Sequence, residues 1–128
     1  MDNSQKKILI VEDDQFLREF YQELLNGAGY FVDVAADGDI GLSKIQNNEY
    51  NLVLLDIMLP KKDGVQIMRD LKSNPPKSPN LAIVILTNLG QDLVIKECFE
   101  LGAEGYLIKS ALNPDQVLNE IKSYLQKG

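Results

Sequence analysis

Four short stretches of this chain place polar, chemically capable side chains directly after apolar runs. Glu12-Asp13-Asp14 follow the run 7–11, Asp56 follows 52–55, Thr87-Asn88 follow 81–86, and Lys109-Ser110 follow 105–108. Acids set close together repel one another and call for a cation. The chain has no histidine and one cysteine, Cys98, so the donors are oxygens. An oxygen-only set suits Mg²⁺, which takes one or two carboxylates and keeps several waters. A cation beside a lysine and a threonine hydroxyl can neutralise the oxygens of a phosphoryl group. A carboxylate is ionised at neutral pH and can act as a nucleophile without a general base. The missing histidine is therefore no obstacle to such chemistry. Each residue alone has a plainer reading. Asp14 stands just before a helical stretch and reads as its N-cap. Lys109 alone would be a surface lysine, and Thr87 a strand-end hydroxyl bonded to backbone. The argument rests on the four stretches together.

Bringing four distant stretches together requires elements that end at one place. Apolar runs at 7–11, 31–35, 52–55, 81–86 and 105–108 read as strands. Between them lie helix-period segments at 15–26, 38–47, 65–73 and 91–101, and a last helix begins near Asn113 with Pro114 in its first turn. Gly27 and Gly29 end the first helix, Asp37 caps the second, and Pro75-Pro76 stop the third. Five strand–helix repeats with largely apolar strands predict a parallel sheet covered on both faces. An eight-fold barrel needs about 250 residues. The expected fold is therefore α/β, an open, doubly wound, five-stranded parallel sheet. Such sheets bind ligands beyond the carboxyl ends of their strands, near the point where strand order reverses. That is where all four polar stretches fall.

Composition narrows the field further. The chain has 128 residues, which fits one domain spanning 1–128. It carries 13 Lys+Arg and 19 Asp+Glu, a net charge of −6, which argues against direct nucleic-acid binding or attachment to anionic membrane. A single cysteine excludes an internal disulfide and fits a reducing compartment. No apolar stretch approaches the ~20 residues of a membrane span, and residues 1–7 lack the apolar core of a signal peptide. A cytoplasmic location is expected.

The motifs Ile8-Leu9-Ile10-Val11-Glu12-Asp13-Asp14, Leu54-Leu55-Asp56-Ile57-Met58-Leu59-Pro60 with Asp63-Gly64, Ile85-Leu86-Thr87, and Gly102-Ala103-Glu104-Gly105-Tyr106-Leu107-Ile108-Lys109 occur in this order. In order and spacing the chain resembles the receiver domains of two-component response regulators, CheY-like over nearly its whole length. The resemblance implies a flavodoxin-like (βα)5 sheet of strand order 2-1-3-4-5. It implies a phosphoacceptor switch rather than an enzyme, with at most self-catalysed phosphorylation from small donors and autodephosphorylation.

The resemblance also implies roles. Asp56 would be the phosphoacceptor. Asp13 would bind Mg²⁺ directly and Glu12 through a metal-bound water, with the Asp56 side chain and the Met58 backbone carbonyl completing the protein's ligands. Thr87 would bond a phosphoryl oxygen and Lys109 would pair with it. Tyr106 would be the aromatic switch that turns inward when Thr87 moves, changing the face of the fourth helix, fifth strand and fifth helix. The phosphodonor would be a histidine kinase or phosphotransfer protein, and the reader a downstream protein target or an output domain missing here. Some positions depart from the family pattern. Ser110 follows Lys109 where the family usually has proline, and without proline a cis bond costs about 2.5–4 kcal/mol. Asn88 stands where a small residue is common and is expected to narrow the entry to Asp56. Met58 and Leu89 are apolar where side chains flank the path of a hydrolytic water, so a long-lived phosphoryl group is expected.

Two rivals use the same residues differently. A degenerate receiver would act only as a protein-binding module. A haloacid-dehalogenase-like phosphatase also has an Asp nucleophile and Mg²⁺, but wants a second Asp where Met58 stands. A nucleotide-binding Rossmann domain is disfavoured because no Gly-rich turn follows the first strand.

Overall fold

A computed structural model describes residues 5–88, 90–109 and 113–126. Leu89 and Ser110 lie outside the described residues, and with them the Lys109–Ser110 peptide and one of the two apolar flanks expected beside Asp56. The strands are β1 (Lys7–Val11), β2 (Phe31–Ala35), β3 (Leu52–Asp56), β4 (Ala82–Thr87) and β5 (Gly105–Ile108). The helices are α1 (Gln15–Gly27), α2 (Gly38–Asn47), α3 (Gly64–Ser73), α4 (Asp92–Glu100) and α5 (Pro114–Gln126). All strand pairs are parallel, and the sheet order is β2-β1-β3-β4-β5. The fold is thus the doubly wound, flavodoxin-like arrangement expected.

Side-chain alternation along the three central strands splits the core into two layers. Leu9, Val11, Val53, Leu55, Ile83 and Ile85 face one side, where Ile45 of α2, Ile67, Met68 and Leu71 of α3, and Cys98 of α4 cover them. Ile8, Ile10, Leu52, Leu54, Val84 and Leu86 face the other, under Tyr21 and Leu25 of α1 and Val117 and Ile121 of α5. β3 and β4 are buried at every position, as strands covered on both faces must be.

Helix entry is set by short polar side chains. Asp14 accepts from the Leu17 amide and Asp37 from the Ile40 amide, the N-cap roles expected of both. Asp63 and Gln66 form a reciprocal capping box at the start of α3. Asn113 Oδ1 accepts from the amides of Asp115 and Gln116 at the start of α5. The fourth helix is shorter than the periodicity predicts: Gln91 is its N-cap and Leu101 its C-cap.

Candidate functional site

Sheet register decides which residues meet. Val11 pairs with Leu55 across β1 and β3, so the next residues, Glu12 and Asp56, emerge side by side. The chain leaves β1 toward β2 on one flank and returns to β3 on the other, so strand order reverses between these two strands. On the far flank, Thr87 of β4 pairs with Ile108 of β5, and the Lys109 amide donates to the Thr87 carbonyl at 2.8 Å. β5 is two strands from β3, about 10 Å at ordinary strand spacing. Only a long side chain crosses that gap, and the Lys109 ammonium does so. Its Nζ lies 2.7 Å from Asp56 Oδ2 and 3.0 Å from Glu12 Oε1.

The three acids converge. One carboxylate oxygen from each of Glu12, Asp13 and Asp56 lies within 4.8 Å of the others. Glu12 and Asp56 are buried, while Asp13 is exposed. Hydrogen bonds from the Arg18 side chain and from backbone amides brace the cluster. Arg18 Nη1 donates to the carbonyls of Glu12 and Asp13 at 2.9 and 3.2 Å, and the Asp14 amide donates to Glu12 Oε2 at 3.0 Å. The Met58 amide donates to Asp56 Oδ1 at 3.1 Å. The loop beyond Asp56 folds back so tightly that a Cβ on Gly64 would stand 2.7 Å from the Asp56 carbonyl oxygen and 2.8 Å from Ile57 Cα. A glycine there lets α3 start against the backbone of the acid itself.

The charges do not balance without a cation. Glu12 Oε1 and Asp56 Oδ2 are buried, and among the described residues the cation that meets them is the Lys109 ammonium. That ammonium pairs with two of the three clustered carboxylates, and among the described residues Asp13 has no ion pair. Burial pushes the Glu12 carboxyl up to about 7, with the Asp56 charge adding to the rise and the Asp14 amide and Lys109 opposing it. For Lys109, burial favours the neutral amine, but Asp56 and Glu12 outweigh it and hold the ammonium above its ordinary range. Clustered carboxylates that one ammonium leaves only partly neutralised, with an oxygen-only donor set, fit a hard divalent cation such as Mg²⁺. A cavity of about 440 Å³ opens on the cluster, lined by Glu12, Asp13, Asp14, Leu17, Asp56, Met58, Asn88 and Lys109. Asn88 stands at its wall.

Two expected residues stand apart from this cavity. Thr87 is buried at the end of β4, but its hydroxyl is 2.7 Å from Gln91 Oε1 and 3.1 Å from the Asn88 carbonyl. Tyr106 is 43% exposed and packs edge-on against Phe99, with ring centroids 6.2 Å apart. The Met58 side chain is also exposed, and the contact it makes with Asp56 runs through its amide. Sequence reasoning passed over Arg18 and Gln91. Arg18 follows Asp14 by one helical turn, a spacing that could have marked it as facing the acids. No sequence signal singles out Gln91.

Known proteins share the fold and the family of this chain. The family model described as the response regulator receiver domain matches residues 8–122. The transcriptional regulatory protein DltR of Streptococcus agalactiae is 38% identical over 116 residues, covering 91% of this chain and 50% of that protein. A probable transcriptional regulator, ycf27, of Cyanophora paradoxa is 35% identical over 99% of this chain and 51% of its own length. The chain therefore spans about half the length of these curated relatives. Among solved structures, a CheY-like response regulator receiver domain protein from Methanospirillum hungatei superposes with a TM-score of 0.87 at 31% identity, covering 97% of this chain and 96% of that one.

Proposed function

The chain belongs to the response regulator receiver family, and on that premise we propose that it is a phosphoacceptor switch with Asp56 as the acceptor. Receivers are signalling switches, not enzymes in the ordinary sense. The observation that carries the assignment is the convergence of Glu12, Asp13 and Asp56 with the Lys109 ammonium at the strand-order reversal.

In this reading an Asp56 carboxylate oxygen attacks the phosphorus of a phosphohistidine on a kinase or phosphotransfer protein. An O–P bond forms, the P–N bond breaks, and its electron pair stays on the leaving imidazole nitrogen. Bound Mg²⁺ would neutralise phosphoryl oxygens in flight and in the product. Asp13, Asp56 and the Met58 carbonyl would hold it, with Glu12 acting through a water. Lys109, already poised beside Asp56, transfers its pairing to a phosphoryl oxygen, and Thr87 turns its hydroxyl to another. Tyr106, now at the surface, moves into the space that Thr87 leaves. That changes the face made by α4, β5 and α5, which a downstream protein or an output domain reads.

One receiver domain, 1–128, working in the cytoplasm fits this reading. Among the described residues no helix is long and apolar enough to cross a membrane. The test is mass spectrometry after incubation with acetyl phosphate and Mg²⁺. The wild type gains one phosphoryl group and Asp56→Asn gains none. An equal adduct on the mutant overturns the assignment, and no adduct on the wild type favours a receiver that acts only by binding.

A further inference from the structure

The hydroxyl that must reach the phosphoryl group is already committed elsewhere. Thr87 Oγ1 is 2.7 Å from Gln91 Oε1, its shorter contact, and 3.1 Å from the Asn88 carbonyl. The backbone N–H of Asn88, 3.4 Å from the same Gln91 oxygen, can only donate. That orients the Gln91 amide with its carbonyl inward and makes Thr87 the donor. A threonine has one hydroxyl proton, so a hydroxyl bonded to Gln91 cannot also serve the Asp56 pocket. Gln91 gives up an ordinary role to make this contact. It is the N-cap of α4 yet makes no side-chain capping bond to that helix, where cap side chains usually serve helix amides.

We propose that Gln91 is a positioning residue that latches Thr87 in the resting state, holding its hydroxyl away from the Asp56 pocket until a phosphoryl group competes for it. The inference rests on the reading of Asp56 as acceptor. A charged phosphoryl oxygen is a stronger acceptor than a neutral amide carbonyl, so phosphorylation wins the hydroxyl. Once Thr87 lets go, the Gln91 carbonyl keeps only the long contact from the Asn88 amide at the start of α4. The state of Asp56 is thereby reported to α4 by a route separate from the Tyr106 ring. The latch raises the threshold for switching, because every phosphorylation event must break it.

The test is the affinity of the Mg²⁺-loaded full chain for beryllofluoride, a phosphoryl mimic, by titration calorimetry. Gln91→Met keeps length without a carbonyl, and Gln91→Ala removes the side chain. A net hydrogen bond of ordinary strength predicts about 2- to 10-fold tighter binding in both. In a Thr87→Val background the same substitutions should leave affinity unchanged, because the latch acts only through that hydroxyl. In the metal-free protein, Thr87→Val should also shift the side-chain amide resonances of Gln91. Wild-type affinity in both Gln91 variants, or an equal gain in the Thr87→Val background, overturns the latch alone. Absence of beryllofluoride binding by the wild type, or binding that survives Asp56→Asn, overturns the acceptor reading and the latch with it.

Discussion

The Lys109 ammonium lies 2.7 Å from Asp56 Oδ2, with a side chain only 13% exposed. The same nitrogen touches Glu12 Oε1, so one cation holds two buried carboxylates together across the mouths of three strands. It therefore both stabilises the acid cluster and competes with any divalent cation for it. Lys109→Met should bind Mg²⁺ more tightly than the wild type while taking up phosphoryl groups more slowly. The first follows from removing a like charge beside the metal, the second from losing the partner of the phosphoryl oxygen. Metal titration and acetyl phosphate kinetics on the two proteins read both effects. Weaker Mg²⁺ binding in the variant would contradict this electrostatic account.

Glu12 supplies a pH dependence with a defined sign. Burial, the largest cause, raises its carboxyl from an ordinary 4.5 to about 7. The folded protein thus binds this proton more tightly than the unfolded chain does. The contribution to stability is complete below pH 4.5 and is lost as pH rises to about 7. Without metal, the stability difference between wild type and Glu12→Gln should therefore fall across that window. Groups shared by both proteins cancel in the difference. Denaturant unfolding at several pH values measures it, and parallel curves would rule out Glu12 as the titrating group. Mg²⁺ affinity should rise over the same window, because its carboxylate ligands must be unprotonated.

The acids at the end of β1 should separate by role. Asp13→Ala removes an oxygen donor from the cluster and should weaken Mg²⁺ binding at least tenfold. Asp14→Ala removes the cap on the Leu17 amide and should cost about 1 kcal/mol of stability with little change in metal affinity. Loss of metal binding in Asp14→Ala but not in Asp13→Ala would mean that the cluster is misassigned.

The lifetime of the phosphoryl group should depend on Met58. Its exposed side chain lines the cavity over Asp56 and cannot orient a water for in-line attack. Met58→Asn places an amide there and should speed loss of phosphate severalfold, without changing how fast the group is acquired from acetyl phosphate. Unchanged release would show that water access at this position does not limit the lifetime.

The sequence by itself determined every element and the end of the sheet where the acidic cluster gathers. Alternating apolar runs and helical periods are local signals, and so are the caps at Asp14 and Asp37, because each depends on residues three or four positions away. Motif spacing also named Glu12, Asp13, Asp56 and Lys109 as candidates. Only the tertiary structure decided how they meet. Register sets Glu12 beside Asp56, and the two-strand gap makes the length of Lys109 matter. Burial at a covered strand end, not residue type, raises the Glu12 carboxyl. The contact from Thr87 to Gln91 was not legible, since it depends on the turn between β4 and α4 and on one side-chain rotamer. The fourth helix starts one residue later than its apolar period suggests. Periodicity records which residues face the core, but it does not record backbone angles, and Gln91, with φ −110° and ψ 38°, stands outside the helix as its cap.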